Sequence, residues 1–176
     1  TVRTNGVLIT QATPRGGRIS GQSAIMKLDG WNWEDATISE SDGIHLNWPA
    51  SFKHKWNGHG VDLVKNDKKD DQISELQQFI TNAKAYGLKH DVMDMRLEAM
   101  QSILQGKSNL YIHVNSAKGI IASVNFANEN GIKKIVLVEG GESFMVADFL
   151  KENNIPIILS RVHDLPMKED DSVLSS

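Results

Sequence analysis

The sequence predicts an α/β fold with parallel strands and a β-rich N-terminal part, and three stretches carry that expectation. Residues 109–161 run NLYIHVN, a helical segment, KKIVLVEGG, a second helical segment and IPIILS, which is a strand–helix–strand–helix–strand unit. Two amphipathic runs, 72–86 and 90–105, precede it. Ahead of these, residues 1–50 hold short strand-like segments separated by glycine-rich turns. With 176 residues and 40% hydrophobic content the chain can bury one sizeable core, so a single α/β domain over 1–176 is expected. Its parts are a β-rich region 1–50, a flexible charged loop 51–71, helices and parallel strands over 72–166, and a frayed tail 167–176.

Taken in order, GVLIT (6–10) and SAIMKL (23–28) read as strands, with Pro14, Gly16, Gly17 and Gly21 marking the long turn between them. The following stretch carries Trp31, Trp33 and Trp48 among acidic and turn residues, so these rings are expected to pack against neighbouring elements from a loop-rich segment. From Ser51 to Asp71 charges of both signs accumulate, which predicts an exposed loop. Ile73, Leu76, Phe79, Ile80 and Ala83 then line one helical face, and Gly87 stops that helix. Met93, Leu97, Met100 and Leu104 form the next stripe and are expected as core filler.

Within the 109–161 unit, Asn115 or Ser116 can cap a helix buried through Ala117, Ile120, Ile121, Val124 and Ala127, with Gly131 at its end. Lys134–Val138 is nearly all β-branched residues or leucine, as expected of a strand covered on both faces. Met145, Val146, Phe149 and Leu150 are expected to face inward from the next helix, and Ile155–Leu159 to form another buried strand. Right-handed crossovers make these strands parallel.

Composition excludes several classes of function. A net charge of −3 argues against nucleic acid as a partner. The absence of cysteine removes thiolate nucleophiles and Cys-ligated zinc. No apolar run reaches the length of about 20 residues that a bilayer span requires, so no membrane partner is expected. Compartment is not assigned, and homo-oligomerisation is left open.

Of the candidate sites, the glycine-rich 16–21 segment lacks both a Gly-Lys-Ser/Thr ending and a following helix, so a structural turn is favoured there. Gly140 and Gly141, between a strand and a helix, have a better context for an anion, although two glycines equally make a tight turn. His54 and His59 flank Trp56 in a charged stretch and read as a solvated loop, whereas His45 and His163 have no local partner. His113 differs because it sits near the C-terminal end of an otherwise apolar strand, where α/β folds place ligands. A hydrogen-bonded core histidine and a functional one are both open on these grounds. Asn115 lies one pleat further along the same face.

The segment LYIHVNSAKGIIASVNFANENGIKKIVLVEGGESFMVADFLKENNIPIIL, with TPRGGRISGQSAIMKLDGWNWEDATI upstream, resembles the imidazolonepropionase-like, Xaa-Pro dipeptidase-like branch of the amidohydrolase superfamily. The resemblance runs from Thr1 to about Pro166 and implies a partial (β/α)-barrel-like unit. It further implies a hydrolase that uses a zinc-like divalent metal to cleave C–N bonds in a small-molecule or dipeptide substrate. By the same resemblance His113 is a metal ligand; Asn115, Glu139, Gly140 and Gly141, around the ends of the same strands, are the candidate substrate-binding residues. Three of the family's features have no counterpart: no two of the 6 histidines are spaced His-x-His, no late-strand aspartate is evident, and Glu139-Gly140-Gly141 stands where many relatives carry Glu-His-Gly. Closed barrels take about 250 residues. The expectation is therefore an internal part of a longer protein, inactive as this chain, with a non-catalytic binding or assembly module as the alternative.

Overall fold

The structure, a computed structural model, describes residues 3–58, 60–88 and 93–159. Expectations attached to His59, His163, the start of the 90–105 helix and the tail 167–176 lie outside the described residues. In chain order the elements are β1 (Ile9–Ala12), β2 (Ile19–Lys27), a helical turn α1 (Trp33–Ala36), β3 (Thr37–Asn47), β4 (Phe52–Trp56) and β5 (Val61–Lys65). They continue with α2 (Lys69–Tyr86), α3 (Met95–Leu104), β6 (Asn109–Val114), α4 (Ala117–Glu129), β7 (Ile135–Glu139), α5 (Ala147–Glu152) and β8 (Ile157–Leu159).

Six strands form one curled sheet in the order β1-β2-β3-β6-β7-β8. The first three pair antiparallel, and β3, β6, β7 and β8 pair parallel. This is the expected partial barrel with its β-rich N-terminal part, enlarged by one parallel strand. That strand is β3, whose sequence TISESDGIHLN reads as a loop because its first half is polar and largely exposed. Only Gly43–Leu46 is fully buried.

Alternation along the parallel strands separates two faces. Ile44, Leu46, Leu110, Ile112, Val114, Ile135 and Leu137 point to the helices and form the core with Leu76, Ile80, Ala83, Met100, Ile120, Val124 and Ala127. Each of the larger of these side chains, Val, Leu, Ile or Met, contributes about 1.5–3 kcal/mol when removed from water. The opposite face carries Gly43, His45 and Asn47 from β3 beside Asn109, Tyr111 and His113 from β6.

Helix starts differ from the expected bounds, α2 beginning at Lys69 rather than residue 72 and α3 at Met95 rather than residue 90, while single residues cap α3 and α4. Ser116 caps α4 by accepting from the Gly119 N–H at 3.2 Å, and Asp94 caps α3 from the Arg96 N–H at 2.9 Å. The stripe of α2 is buried at Leu76, Ile80 and Ala83, and a reciprocal amide pair between Gln77 and Asn130, at 2.9 Å in both directions, ties α2 to the end of α4.

Several expectations are corrected. Residues 52–56 and 61–65 form an antiparallel hairpin, not a loop; Lys53 and Lys55 alternate with Phe52 and Trp56, so a period-two pattern reads as accumulated charge. Gly58 (φ +94°) and the Gly60 N–H bonded to Asn57 Oδ1 at 2.7 Å make its turn. Trp48 is buried against Phe126, but Trp31 and Trp33 are 98% and 66% exposed. Met93 and Met145 are exposed rather than core. The segment after Gly141 begins as a 3-10 turn, Ser143–Val146, before α5. β8 is a half-exposed edge strand, since nothing among the described residues pairs its outer side.

Candidate functional site

The site grows from the C-terminal ends of β3, β6 and β7. Parallel register sets His45 opposite Tyr111 and Asn47 opposite His113, so both histidines lie on the face away from the helices, offset by one pleat. His45 Nδ1 and His113 Nε2 are 2.9 Å apart, a hydrogen bond between strands that are 68 residues apart in sequence. The buried His45 ring stacks on Tyr111, with centroids 4.6 Å apart and planes 10° from parallel. Tyr111 in turn donates its hydroxyl to Asp42 at 2.5 Å, and Gln11 Nε2 donates to the same carboxylate at 2.7 Å. A polar row thus crosses the sheet from β1 to β6.

At the other end of the row, pleating alone would turn Glu139 toward the helices, because its register partner Val114 packs in the core. Its φ of +80° reverses that and brings the carboxylate within 3.8 Å of His113 Nδ1. A non-glycine residue held in the left-handed region costs on the order of 1–3 kcal/mol and persists only where its surroundings fix it. Asn115 does the fixing: its Nδ2 donates to Glu139 Oε2 at 2.8 Å, and its Oδ1 accepts from the Gly141 N–H at 3.0 Å.

The predicted residues His113, Asn115, Glu139 and Gly141 are therefore brought together. Gly140, at φ +60°, serves the turn, and its N–H donates to the Val114 carbonyl at 3.0 Å. The Glu142 N–H goes to the Asn115 carbonyl at 2.8 Å, and the Glu142 carboxylate accepts from the Ala117 N–H at the start of α4, also at 2.8 Å. All three turn amides, and that first helical amide, are consumed within the chain. This is turn chemistry rather than an open anion cradle.

An Asn115→Ala substitution removes two side-chain bonds from an exposed position. The expected result is a loss of about 1 kcal/mol together with faster hydrogen exchange at the Gly141 amide, and unchanged exchange there would contradict the bracing role.

Electrostatics follow from the geometry. Burial, seconded by the neighbouring His113, lowers the pKa of His45 to about 4, against a smaller pull upward from Asp42. The imidazole of His113 holds the Glu139 carboxyl below the usual carboxylate range, opposed by partial burial and helped by Asn115. Burial and the adjacent Asp42 carboxylate raise the Tyr111 phenol. His45 is the neighbour within the candidate site that sequence reasoning misses. Its one available signal is position, three residues before Trp48 in a segment that reads as a loop.

Beside this cluster opens a cleft of about 860 Å³, walled by Trp48, Phe52, Leu63 and Met145 and floored by His113, Asn115, Glu139 and Glu142. Phe52 and Leu63 belong to the β4–β5 hairpin, which is the connection leaving the C-terminal end of β3. A metal centre needs several converging ligands. Among the described residues no three His, Asp or Glu side chains are grouped to supply one. His113 Nε2 is already engaged by His45, and Glu139 alone stands beside the other nitrogen. The described residues do not by themselves fit a metal centre.

Fold and site together define a class: an α/β chain of barrel type with a polar cluster and an open cleft at the C-terminal ends of its parallel strands. Comparison with solved structures agrees. The chain is similar to an amidohydrolase from Thermotoga maritima with a TM-score of 0.77 and 17% sequence identity, over 96% of this chain and 46% of that one. The chain thus spans less than half the length of that protein, and the likeness is one of fold. No protein-family profile and no curated protein matches the sequence.

Proposed function

We propose that this chain forms part of an amidohydrolase-like hydrolase acting on a C–N bond in an amide, a cyclic amide or a dipeptide, and that residues 1–176 alone do not catalyse. The observation supporting this reading is the cluster of His113, Asn115 and Glu139 at the mouth of a strand-end cleft, on a fold similar to a solved amidohydrolase. A carboxylate and an imidazole so placed can relay a proton to or from a bound molecule. The imidazolonepropionase-like or Xaa-Pro dipeptidase-like assignment, the small-molecule or dipeptide substrate and the zinc-like metal enter the proposal as properties of an intact protein whose further ligands lie outside the described residues. The second reading is a non-catalytic ligand-binding or assembly module. It is favoured by the fact that both ring nitrogens of His113 already face partners within the chain.

The test is to determine the coding sequence on either side of residues 1–176, express what it encodes with divalent metal, and assay N-acyl amino acids, cyclic amides and dipeptides. A His-x-His pair, a strand-end aspartate and hydrolysis are the expected result. A product that binds members of the panel and hydrolyses none sinks the hydrolase reading in favour of the module. For residues 1–176 by themselves the expected outcome is no turnover, and stoichiometric metal uptake with hydrolysis by the purified chain refutes it.

A further inference from the structure

The contact between His45 and His113 fixes more than a distance. Two neutral imidazoles sharing one hydrogen bond can arrange their protons in two ways. If His113 Nε2–H donates to His45 Nδ1, the bare lone pair of His113 Nδ1 faces the Glu139 carboxylate at 3.8 Å, and His45 Nε2 is left as a buried donor with no partner among the described residues. If instead His45 Nδ1–H donates to His113 Nε2, the Nδ1–H of His113 points at Glu139, and His45 Nε2 is a buried acceptor with no partner. The second arrangement replaces a repulsion between a lone pair and a carboxylate by an attraction.

We propose that His45 is a positioning residue that closes the Nε2 lone pair of His113, holds His113 in its Nδ1–H tautomer toward Glu139, and so masks it from divalent cations. A cation ligated by a neutral imidazole needs that lone pair, so it has to displace the His45 N–H first. His45 is well placed to resist displacement, being buried, stacked on Tyr111 and confined to the strand directly paired with β6. The inference concerns residues 1–176 as they stand and does not depend on the proposed hydrolase function. A protein with no enzymatic activity would show the same tautomer.

The experiment is long-range ¹H–¹⁵N correlation NMR of the ¹⁵N-labelled chain at neutral pH, followed by titration with Co²⁺ read at the His113 ring resonances, so that histidines elsewhere do not interfere. His113 is expected in the Nδ1–H form with little broadening by Co²⁺. In His45→Phe, which keeps a ring against Tyr111, the Nε2 lone pair is freed, and cation affinity at His113 is expected to rise about fivefold or more, the worth of one lost hydrogen bond. Adding His113→Asn should abolish the gain when it is read as the total Co²⁺ affinity of the chain. An Nε2–H tautomer in the unmodified chain, or equal broadening of His113 with and without His45, overturns the proposal. The tautomer is read without any substitution, so a variant that fails to fold leaves the proposal exposed to refutation.

Discussion

Gly43→Ala is expected to destabilise the protein by about 2 kcal/mol or more and to break the polar row behind the candidate site. Gly43 is buried in β3 directly opposite Asn109 of β6. A Cβ built there falls well inside the van der Waals contact distance of the Asn109 carbonyl oxygen and lies 2.6 Å from Tyr111 Cε2. A backbone atom cannot step aside without opening the parallel pairing, and the Tyr111 ring can move only by leaving His45 and Asp42. The strain is therefore shared between the β3–β6 ladder and the Tyr111–His45 stack. Gly60→Ala is the control, because nothing lies within 4 Å of a Cβ there and its backbone is not left-handed. Urea unfolding of both variants, with the fluorescence of the buried Trp48 as probe, should separate them. Equal midpoints would mean that β3 and β6 pack more loosely at Gly43 than their geometry states.

That site of strain also marks the limit of what the sequence discloses. The strands at Leu110–Val114 and Ile135–Val138 are legible because both are apolar runs flanked by amphipathic helices, and the parallel order follows from short right-handed crossovers. β3 is not legible, since SESDG in its exposed half hides the buried GIHL that follows. With β3 unread, His45 has no assigned neighbour. A hydrogen bond spanning 68 residues depends on register, which no local pattern encodes.

Glu139 shows a related gap. Its sequence position identifies it as a site candidate, but the left-handed φ that turns it from the core toward His113 is a property of the whole turn and of Asn115 bracing it. The hairpin that walls the cleft is missed because alternating lysines resemble a solvated charge run. Helix faces and caps are the most legible features, being set by spacing and by single residues such as Ser116.

Stability is expected to fall with acid in two windows, the upper one belonging to His45. Its pKa is about 4 in the folded protein against an ordinary 6.5, so between these values the unfolded chain binds a proton that the folded chain refuses. Stability from this group is fully present above 6.5 and is lost as pH falls toward 4. The full difference amounts to roughly 3 kcal/mol. Glu139 acts lower: its folded pKa is depressed from an ordinary 4.5, so its contribution is present above that value and disappears as pH falls through the depressed one. Replacing His45 by Phe removes the titrating ring and the buried unpartnered Nε2 while keeping a planar side chain against Tyr111. The variant should flatten the upper window and leave the lower one in place, as measured by urea midpoints from neutral pH down to about 2, below the Glu139 window. A His45→Phe profile as steep as that of the unmodified chain between 6.5 and 4 would show that acid sensitivity there arises at another group. A profile flat across both windows would mean that His45 also sets the position of the Glu139 carboxylate, through His113, which stands between them.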